Sequence, residues 1–185
     1  MKSFRMKKLW KAISLSLCGI LTAGIIAGCS SENTVDKTTL KFGVTNFADT
    51  LEPTQNYFGW VVMRYAIGEC LAKFDEKMNV QPWLAESWSI SDDHLTWTFK
   101  IRDNVKFSNG NLVTAEAVKK SIERAFTKNT RAKTFFEYTE MKADGQNLII
   151  TTSKPQPNMP GFLADPLFII VDVSAEKQGR DFAKE

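Results

Sequence analysis

One short segment constrains the fold more than any other, because its apolar and polar residues alternate without interruption. The run reads Leu95-Thr96-Trp97-Thr98-Phe99-Lys100-Ile101-Arg102. Successive side chains of a strand point to opposite faces, so Leu95 and every second residue after it are predicted to face the core and the others to face water. Asp92–His94 predicts a turn and Trp88–Ser91 a preceding strand. The segment therefore indicates a half-buried antiparallel hairpin.

A helix is predicted after this hairpin. Thr114 is a candidate N-cap, with Glu116 in the first turn. The spacing of four apolar residues defines one helical face, formed by Val118, Ile122, Ala125 and Phe126. The charged residues of the segment are predicted to lie away from that face: Lys119, Lys120, Glu123 and Arg124.

A second hairpin is predicted where Asp144-Gly145-Gln146 separates two short apolar segments, 141–143 and 147–152. The remaining elements have weaker patterns. They are a strand at Thr39–Val44, a helix at Trp60–Cys70, a strand at Phe168–Val171 and a polar, helical tail from Ala175. Together these elements predict an α/β protein with antiparallel hairpins and flanking helices.

The N-terminus carries the positive charge of the chain. Residues 1–28 contain five basic residues and no acid, although the whole chain has 24 basic and 21 acidic residues and a net charge of +3. The other 157 residues therefore hold 19 basic and 21 acidic residues, a balance near −2. A nucleic-acid-binding domain needs a basic patch on its folded body. The composition gives no indication of one, so no nucleic-acid partner is expected.

Residues 1–28 are typical of an export signal. A basic start is followed by an uncharged, Leu- and Ile-rich segment from Ala12 to Gly28, which is short for a membrane-spanning helix. Ile26-Ala27-Gly28-Cys29 resembles the bacterial lipobox, which implies that Cys29 receives a lipid and becomes the mature N-terminus. The predicted organisation is a signal peptide at 1–28, a lipid-anchored polar tether at 29–39 and a folded domain at 40–185. An uncleaved anchor helix with an incidental cysteine is the alternative.

Cys70 is the one cysteine left for the exported domain, after Cys18 is removed with the signal and Cys29 is lipidated. No disulfide is therefore expected there. A small, buried, apolar role for Cys70 is favoured over a catalytic thiol, since His94 is the sole histidine and no triad is evident. We expect no enzyme activity, no catalytic residue, no protein metal site and no cofactor.

Residues 84–116 carry a resemblance to a known family. The residues concerned are Leu84-Ala85-Glu86-Ser87-Trp88, Ser91-Asp92-Asp93, the run from Leu95 to Gly110, and Thr114-Ala115-Glu116. This pattern resembles the signature of the family 5 extracellular solute-binding proteins of bacterial ABC importers, and the likeness extends over about Leu40–Val173. His94 stands where the family commonly has Gly. Ser108-Asn109-Gly110 is closer to the nickel-importing branch than to the peptide-binding one.

The resemblance implies both a fold and a function. The fold is the N-terminal lobe of a two-lobed, class II periplasmic-binding-protein-like structure, truncated, with a mixed sheet. The function is capture of short peptides or a nickel chelate for ABC permease subunits. The location is the extracytoplasmic face of the cell membrane, or the periplasm where an outer membrane exists. Family members are more than twice as long, so we expect this chain alone to bind weakly.

Two other interpretations remain open at this point. The chain could be a non-functional fragment of an interrupted gene. With less support, it could be an exported lipoprotein that acts as a hydrolase or a chaperone, for which Cys70 and the distant His94 are the available groups.

Two places are predicted to contact a solute, since a pocket needs flat apolar walls and a few amide or guanidinium donors. The first follows the opening strand: Asn46, Asn56, Tyr57, Trp60 and Arg64. The second is the aromatic pair Phe135 and Phe136. Simple packing or surface exposure is the alternative for each of these residues.

Overall fold

The structure is a computed structural model that describes residues 38–39, 41–44 and 49–177. Residues 38–39 and 41–43 belong to a unit separate from the one that begins at Val44. The helices are α1 (Phe58–Arg64), α2 (Ala115–Lys128), α3 (Ala132–Phe135), α4 (Met159–Phe162) and α5 (Val173–Lys177), with a 3₁₀ helix at Pro166–Phe168. The strands are β1 (Ala72–Phe74), β2 (Val80–Pro82), β3 (Ala85–Ile90), β4 (Thr96–Ile101), β5 (Glu140–Asp144) and β6 (Asn147–Thr151).

Four strands form one antiparallel sheet in the order β3-β4-β6-β5, and β1 pairs with β2 in a separate hairpin. The alternation in β4 has the predicted effect, because Trp97, Phe99 and Ile101 are all buried. Thr96, Thr98 and Lys100 are half-buried rather than facing water. β4 is an internal strand with neighbours on both sides, which cover part of this outer face.

Both predicted hairpins are confirmed. The first reverses at Asp92–His94, where the Asp93 carboxylate accepts the Leu95 N–H at 3.0 Å and His94 has a φ of 59°. The second reverses through Gly145 and Gln146, since Asp144 lies opposite Asn147. The φ of Gly145 is 56°, a left-handed conformation that glycine adopts without a steric cost.

Helix α2 begins as predicted, with the Thr114 hydroxyl accepting the Ala117 N–H at 3.1 Å. Val118, Ile122 and Ala125 are buried against the sheet side of the core. Arg124, which is predicted to lie away from this apolar face, is nevertheless only 7% exposed. A second layer, made of the segment before α1 and of α5, covers the side of α2 that carries Arg124.

The prediction of a helix at 60–70 is wrong at its C-terminal end, since α1 ends at Arg64. The Ile67 N–H donates to the Val62 carbonyl at 3.0 Å, and the Ala66 N–H donates to the Met63 carbonyl at 2.9 Å. These two bonds form a Schellman motif, with Ala66 at a φ of 56° in the position where glycine is usual. The helix therefore ends without the glycine that would have marked its end in the sequence.

The prediction of a strand at 168–171 is also wrong. A 3₁₀ helix ends at Phe168, and residues 169–172 form no strand. Their backbone groups bond to other partners: the Ile170 N–H donates to the Glu69 carbonyl and the Val171 N–H donates to the Ser121 hydroxyl, both at 2.9 Å. An apolar run becomes a strand only where another strand offers its edge.

The opening strand predicted at Thr39–Val44 is not found in its described part, as residues 41–44 have no strand structure. Alternating polar and apolar residues do not form a stable strand when no neighbouring strand supplies backbone hydrogen bonds. The tail is helical as predicted over α5, and residues 178–185 lie outside the described part. The signal peptide and Cys29 also lie outside it. Within the described ranges, no helix is both long enough and apolar enough to span a bilayer.

Candidate functional site

Helix α1 presents an exposed aromatic face. Tyr57, just before the helix, is 68% exposed and Trp60 is 49% exposed, while Arg64 is also exposed one turn later. The opposite face fixes this orientation, because Gly59 and Val62 are buried. Asn56 is exposed with a φ of 50°, a left-handed conformation that asparagine tolerates better than most residues. The face is therefore formed by four of the predicted solute-contacting residues.

Gly59 brings α1 into direct contact with the rest of the fold. A Cβ atom at this position would lie 2.5 Å from the Pro166 carbonyl oxygen and 2.9 Å from that of Pro53. No side chain fits between a helix and backbone at such distances, so glycine is required for this approach. The contact therefore fixes the position of Tyr57 and Trp60 relative to the rest of the fold.

The two phenylalanines predicted to contact solute have different environments. Phe136 is 2% exposed and packs in the core, with its ring 5.1 Å from that of Phe126 and 5.7 Å from that of Phe168. Phe135 is half-buried, with its ring 5.5 Å from Phe168. Asn46, the remaining predicted residue, lies outside the described part. Contact with solute stays a prediction for all of these residues.

Arg131 connects the two predicted places. Its guanidinium carbon lies 5.3 Å from the centroid of the Tyr57 ring and 5.4 Å from that of the Phe135 ring. Both distances are in the range of a cation–π interaction. Its Nη2 also donates to the Asp165 carboxylate at 3.3 Å. Arg131 was not among the residues predicted from sequence, although its position four residues before Phe135 was a usable signal.

Asn129 positions the segment that carries Arg131. Its side-chain oxygen accepts the Arg131 N–H at 2.9 Å, and its Nδ2 donates to the Thr54 carbonyl at 2.8 Å. The end of α2 is therefore linked directly to the loop that leads into α1. The Asn129 side chain thus joins the loop before Tyr57 to the segment that leads to Phe135.

A buried ionic cluster also holds the loop that leads into α1. Arg124 donates to both carboxylate oxygens of Glu52 and to both of Glu176. Burial alone would raise the pKa of Glu52, but hydrogen bonds from Arg124 and Thr54 outweigh it, and the pKa is lowered. For Glu176, hydrogen bonding from Arg124 dominates and lowers the pKa to about 2. Both carboxylates are therefore ionised at neutral pH and hold the loop before α1 against α2.

A separate cavity of about 460 Å³ lies under the other side of α1. Most of its lining is apolar, including Val62, Ile67 and Ile169, while Glu69, Asp172 and Lys106 contribute charged groups. Burial would raise the pKa of Asp172, but hydrogen bonds from Asn109, Ser174 and Asn111 lower it to about 2. The charged part of the lining therefore combines two acidic groups with one basic group.

The Cys70 thiol is placed as a structural group. Cys70 is completely buried, as predicted, and its Sγ donates to the Asp165 carbonyl at 3.3 Å. Burial, together with the nearby Asp165 and Glu69, raises the pKa of this thiol well above its ordinary value. Across residues 38–39, 41–44 and 49–177, no group of three or more His, Cys, Asp or Glu side chains is placed to hold a metal ion.

Comparison with known proteins identifies the family to which this chain is similar. Residues 79–185 match the bacterial extracellular solute-binding proteins, family 5 Middle. The nickel-binding protein NikA of Staphylococcus aureus is 28% identical over 152 residues, which cover 82% of this chain and 30% of that protein. The glutathione-binding protein GsiB of Escherichia coli O1:K1 is 32% identical over 112 residues, covering 58% of this chain and 22% of the relative.

A solved structure agrees with these relatives. The nickel ABC transporter protein from Bacillus halodurans superposes with a TM-score of 0.67 and is 37% identical, over 75% of this chain and 28% of that one. The α/β fold with antiparallel hairpins and flanking helices is therefore confirmed. The chain spans less than a third of the length of each of these three proteins. The chain belongs to the family 5 bacterial extracellular solute-binding proteins.

Proposed function

We propose that this chain forms part of the substrate-binding component of an ABC importer, and that the Tyr57–Trp60 face contacts the solute. The observation that carries the proposal is the exposure of these two aromatic residues on α1 in a member of a solute-binding family. Exposed aromatic rings give a large contact area at a low cost in side-chain entropy, which suits them to flat or apolar parts of a ligand. Arg64 and Asn56 add polar donors to the same face.

The solute classes that we propose are a nickel chelate and a short peptide. Two of the similar proteins are described as nickel proteins, from Staphylococcus aureus and Bacillus halodurans, and a third is described as glutathione-binding. Both classes combine carboxylates with amide or amine groups, so one surface of aromatic rings and guanidinium donors suits either. We place the nickel chelate first because of Ser108-Asn109-Gly110.

The proposed mechanism is capture by closure of two lobes around the solute, with delivery to ABC permease subunits. The residues described here would supply one wall of the binding cleft. A single wall excludes water from one side of a ligand only, so the 185-residue chain alone should bind weakly.

We further propose that the protein is held on the extracytoplasmic side of the membrane by lipid on Cys29, with residues 30–39 as a polar tether. Two or three acyl chains would give stable anchoring. Mass spectrometry of the mature N-terminus tests this, and the expected result is a lipidated Cys29 that is replaced by unlipidated precursor in Cys29→Ser. Finding residues 1–28 still attached in the native protein would contradict it.

The transport role is tested by deleting the gene that encodes the chain in its host. Uptake of radioactive nickel supplied as its histidine complex, and of a labelled tripeptide, is then compared with the parent strain and with a strain carrying the restored gene. We expect uptake of one of the two solutes to fall and to return on restoration. Unchanged uptake of both solutes would contradict the proposal.

A further inference from the structure

Asn109 and Gly110 form the one Asn-Gly sequence in the chain, and they lie in an exposed turn at residues 108–111. We propose that Asn109 is a site of spontaneous deamidation, and that the carboxylate formed there releases the start of α5 from this turn. Three observations carry the proposal: the residue that follows the asparagine, the exposure of the turn, and the acceptor that the Asn109 amide contacts.

The reaction requires a small residue after the asparagine. The backbone nitrogen of Gly110 attacks Cγ of Asn109 and gives up its proton, and the side-chain amide group leaves with that proton as ammonia. The resulting cyclic succinimide is opened by water at either of its carbonyl groups, which leaves aspartate or isoaspartate at position 109. Glycine has no Cβ atom to hinder the approach of its nitrogen, whereas Asn111 is followed by the bulky Leu112.

The turn is accessible to the water that completes the reaction. Residues 108–112 are all exposed, and a Cβ atom added at Gly110 would meet nothing within 4 Å. The Gly110 N–H donates to the Phe107 carbonyl at 2.9 Å, so its nitrogen can attack only when this bond opens. Local opening of an exposed turn requires much less free energy than global unfolding. The folded turn therefore slows the reaction without preventing it.

The side chain of Asn109 also contacts the residue that precedes α5. Its Nδ2 donates to Oδ2 of Asp172 at 2.8 Å, and Nδ2 of Asn111 donates to the same oxygen at 2.7 Å. The other oxygen of this carboxylate, Oδ1, accepts the Ser174 N–H at 2.9 Å in the first turn of the helix. The Asp172 carboxylate thus links two amides of the exposed turn to the start of α5.

Deamidation replaces attraction by repulsion at this contact. A carboxylate at position 109 has no N–H to donate, and it faces Asp172, whose carboxylate is ionised at neutral pH because its pKa is about 2. Two carboxylates at hydrogen-bond distance repel each other, so the turn and the start of α5 should separate. The same helix carries Glu176, which pairs with Arg124. The modification therefore weakens the attachment of one member of the ionic cluster.

The first experiment follows the full 185-residue chain, purified in detergent, during incubation at mildly alkaline pH. Trypsin cleaves after Lys106 and Lys119, so one peptide contains both Asn109 and Asn111. Fragmentation in the mass spectrometer locates the converted residue, and a digest of the fresh chain corrects for conversion during cleavage. Asn111 is the matched control, since it is equally exposed and donates to the same oxygen.

We expect the converted fraction at Asn109 to increase with the time of incubation, while Asn111 stays at the level of the fresh chain. No increase at Asn109, or an equal increase at both residues, would overturn the proposed modification site. This measurement uses the native sequence, so its outcome does not depend on whether a variant folds.

The second experiment tests the effect on α5 with a variant that imitates the product. The Ala175 N–H, which donates to the Asp172 carbonyl at 3.0 Å, reports on the start of the helix by its hydrogen exchange. Asn109→Asp should lower the protection of this amide by about three- to tenfold, because a hydrogen bond to a charged group is lost. In the Asp172→Asn background the same substitution should cause no loss, since donor and acceptor are then exchanged and the contact is kept. Equal losses in both backgrounds, or no loss in either, would contradict the proposed release of α5.

Discussion

The guanidinium of Arg124 and the carboxylate of Glu52 form a side-by-side pair between residues 72 positions apart in sequence. Nη1 donates to Oε1 at 3.0 Å and Nη2 donates to Oε2. The side chains are only 6% and 12% exposed, and Glu176 completes the cluster from α5. The pair links the helix at the centre of the domain to the loop that sets the position of Tyr57.

Arg124→Met should lower the free energy of unfolding by about 3 kcal/mol, because it leaves buried carboxylates without their partner. The matched control is Lys120→Met on the same helix, whose ion pair with Glu116 is exposed and should contribute no more than about 0.5 kcal/mol. Urea denaturation of both variants measures the difference. Similar losses for the two variants would mean that the cluster is not a main stabilising contact.

Stability should also fall in acid. The pKa values of Glu176 and Asp172 in the folded chain are about 2, below ordinary values of 4.5 and 3.8, and that of Glu52 is lowered too. A lowered pKa means that the stabilisation is complete above the unfolded value and is lost as the pH falls through the folded value. The urea midpoint should therefore be constant at neutral pH and decrease from about pH 4.5 to about pH 2. Glu176→Gln should make that decrease shallower, and an unchanged slope would contradict the assignment.

His94 provides a test of backbone strain. Its φ of 59° places it in the left-handed region, where a residue with a Cβ is disfavoured by about 1 kcal/mol relative to glycine. His94→Gly should therefore raise the free energy of unfolding by up to about 1 kcal/mol, and His94→Ala should not. Thermal unfolding of the pair checks this. A stabilising His94→Ala would show that the imidazole, and not the backbone conformation, determines the effect.

The approach of α1 to the domain depends on Gly59. Gly59→Ala should destabilise the chain by about 1–3 kcal/mol, because the new methyl group meets the Pro166 and Pro53 carbonyl oxygens and backbone cannot easily move. Gly161→Ala is the matched control, since the atoms nearest to its methyl group belong to the exposed side chain of Asn158, which can swing into water. The urea midpoints of the two variants are compared. Equal values would contradict the claim that α1 requires glycine at position 59.

The sequence pattern predicted an element correctly where the contacts that determine it join residues close together in the chain. The two hairpins and the start of α2 were predicted because alternation, turn residues and a capping threonine act within a few positions. The end of α1 was missed because Ala66 takes a conformation that the sequence would announce only with glycine. The apolar run at 168–171 was misassigned because its backbone partners, Glu69 and Ser121, are distant in sequence.

The candidate site also depends on contacts between residues that are distant in sequence, and these could not be predicted. Tyr57 and Phe135 were predicted as members of two separate places, and nothing in their local sequence indicates that they meet at Arg131. Arg124 was predicted only to lie away from the apolar face of its helix, because a charged residue is rarely buried without partners. Its partners, Glu52 and Glu176, lie 72 and 52 residues away, so only the folded chain reveals the cluster.

The measurement that tests the central claim most directly is solute uptake by cells carrying Tyr57→Ala and Trp60→Ala together. Met78→Ala, at a residue 71% exposed and far from this face in sequence, is the control. The account predicts that uptake of nickel–histidine or of a labelled tripeptide at limiting concentration falls by about tenfold or more in the double variant and is unchanged in the control. Uptake of both solutes at the control level, with the variant protein present in normal amount, would contradict it.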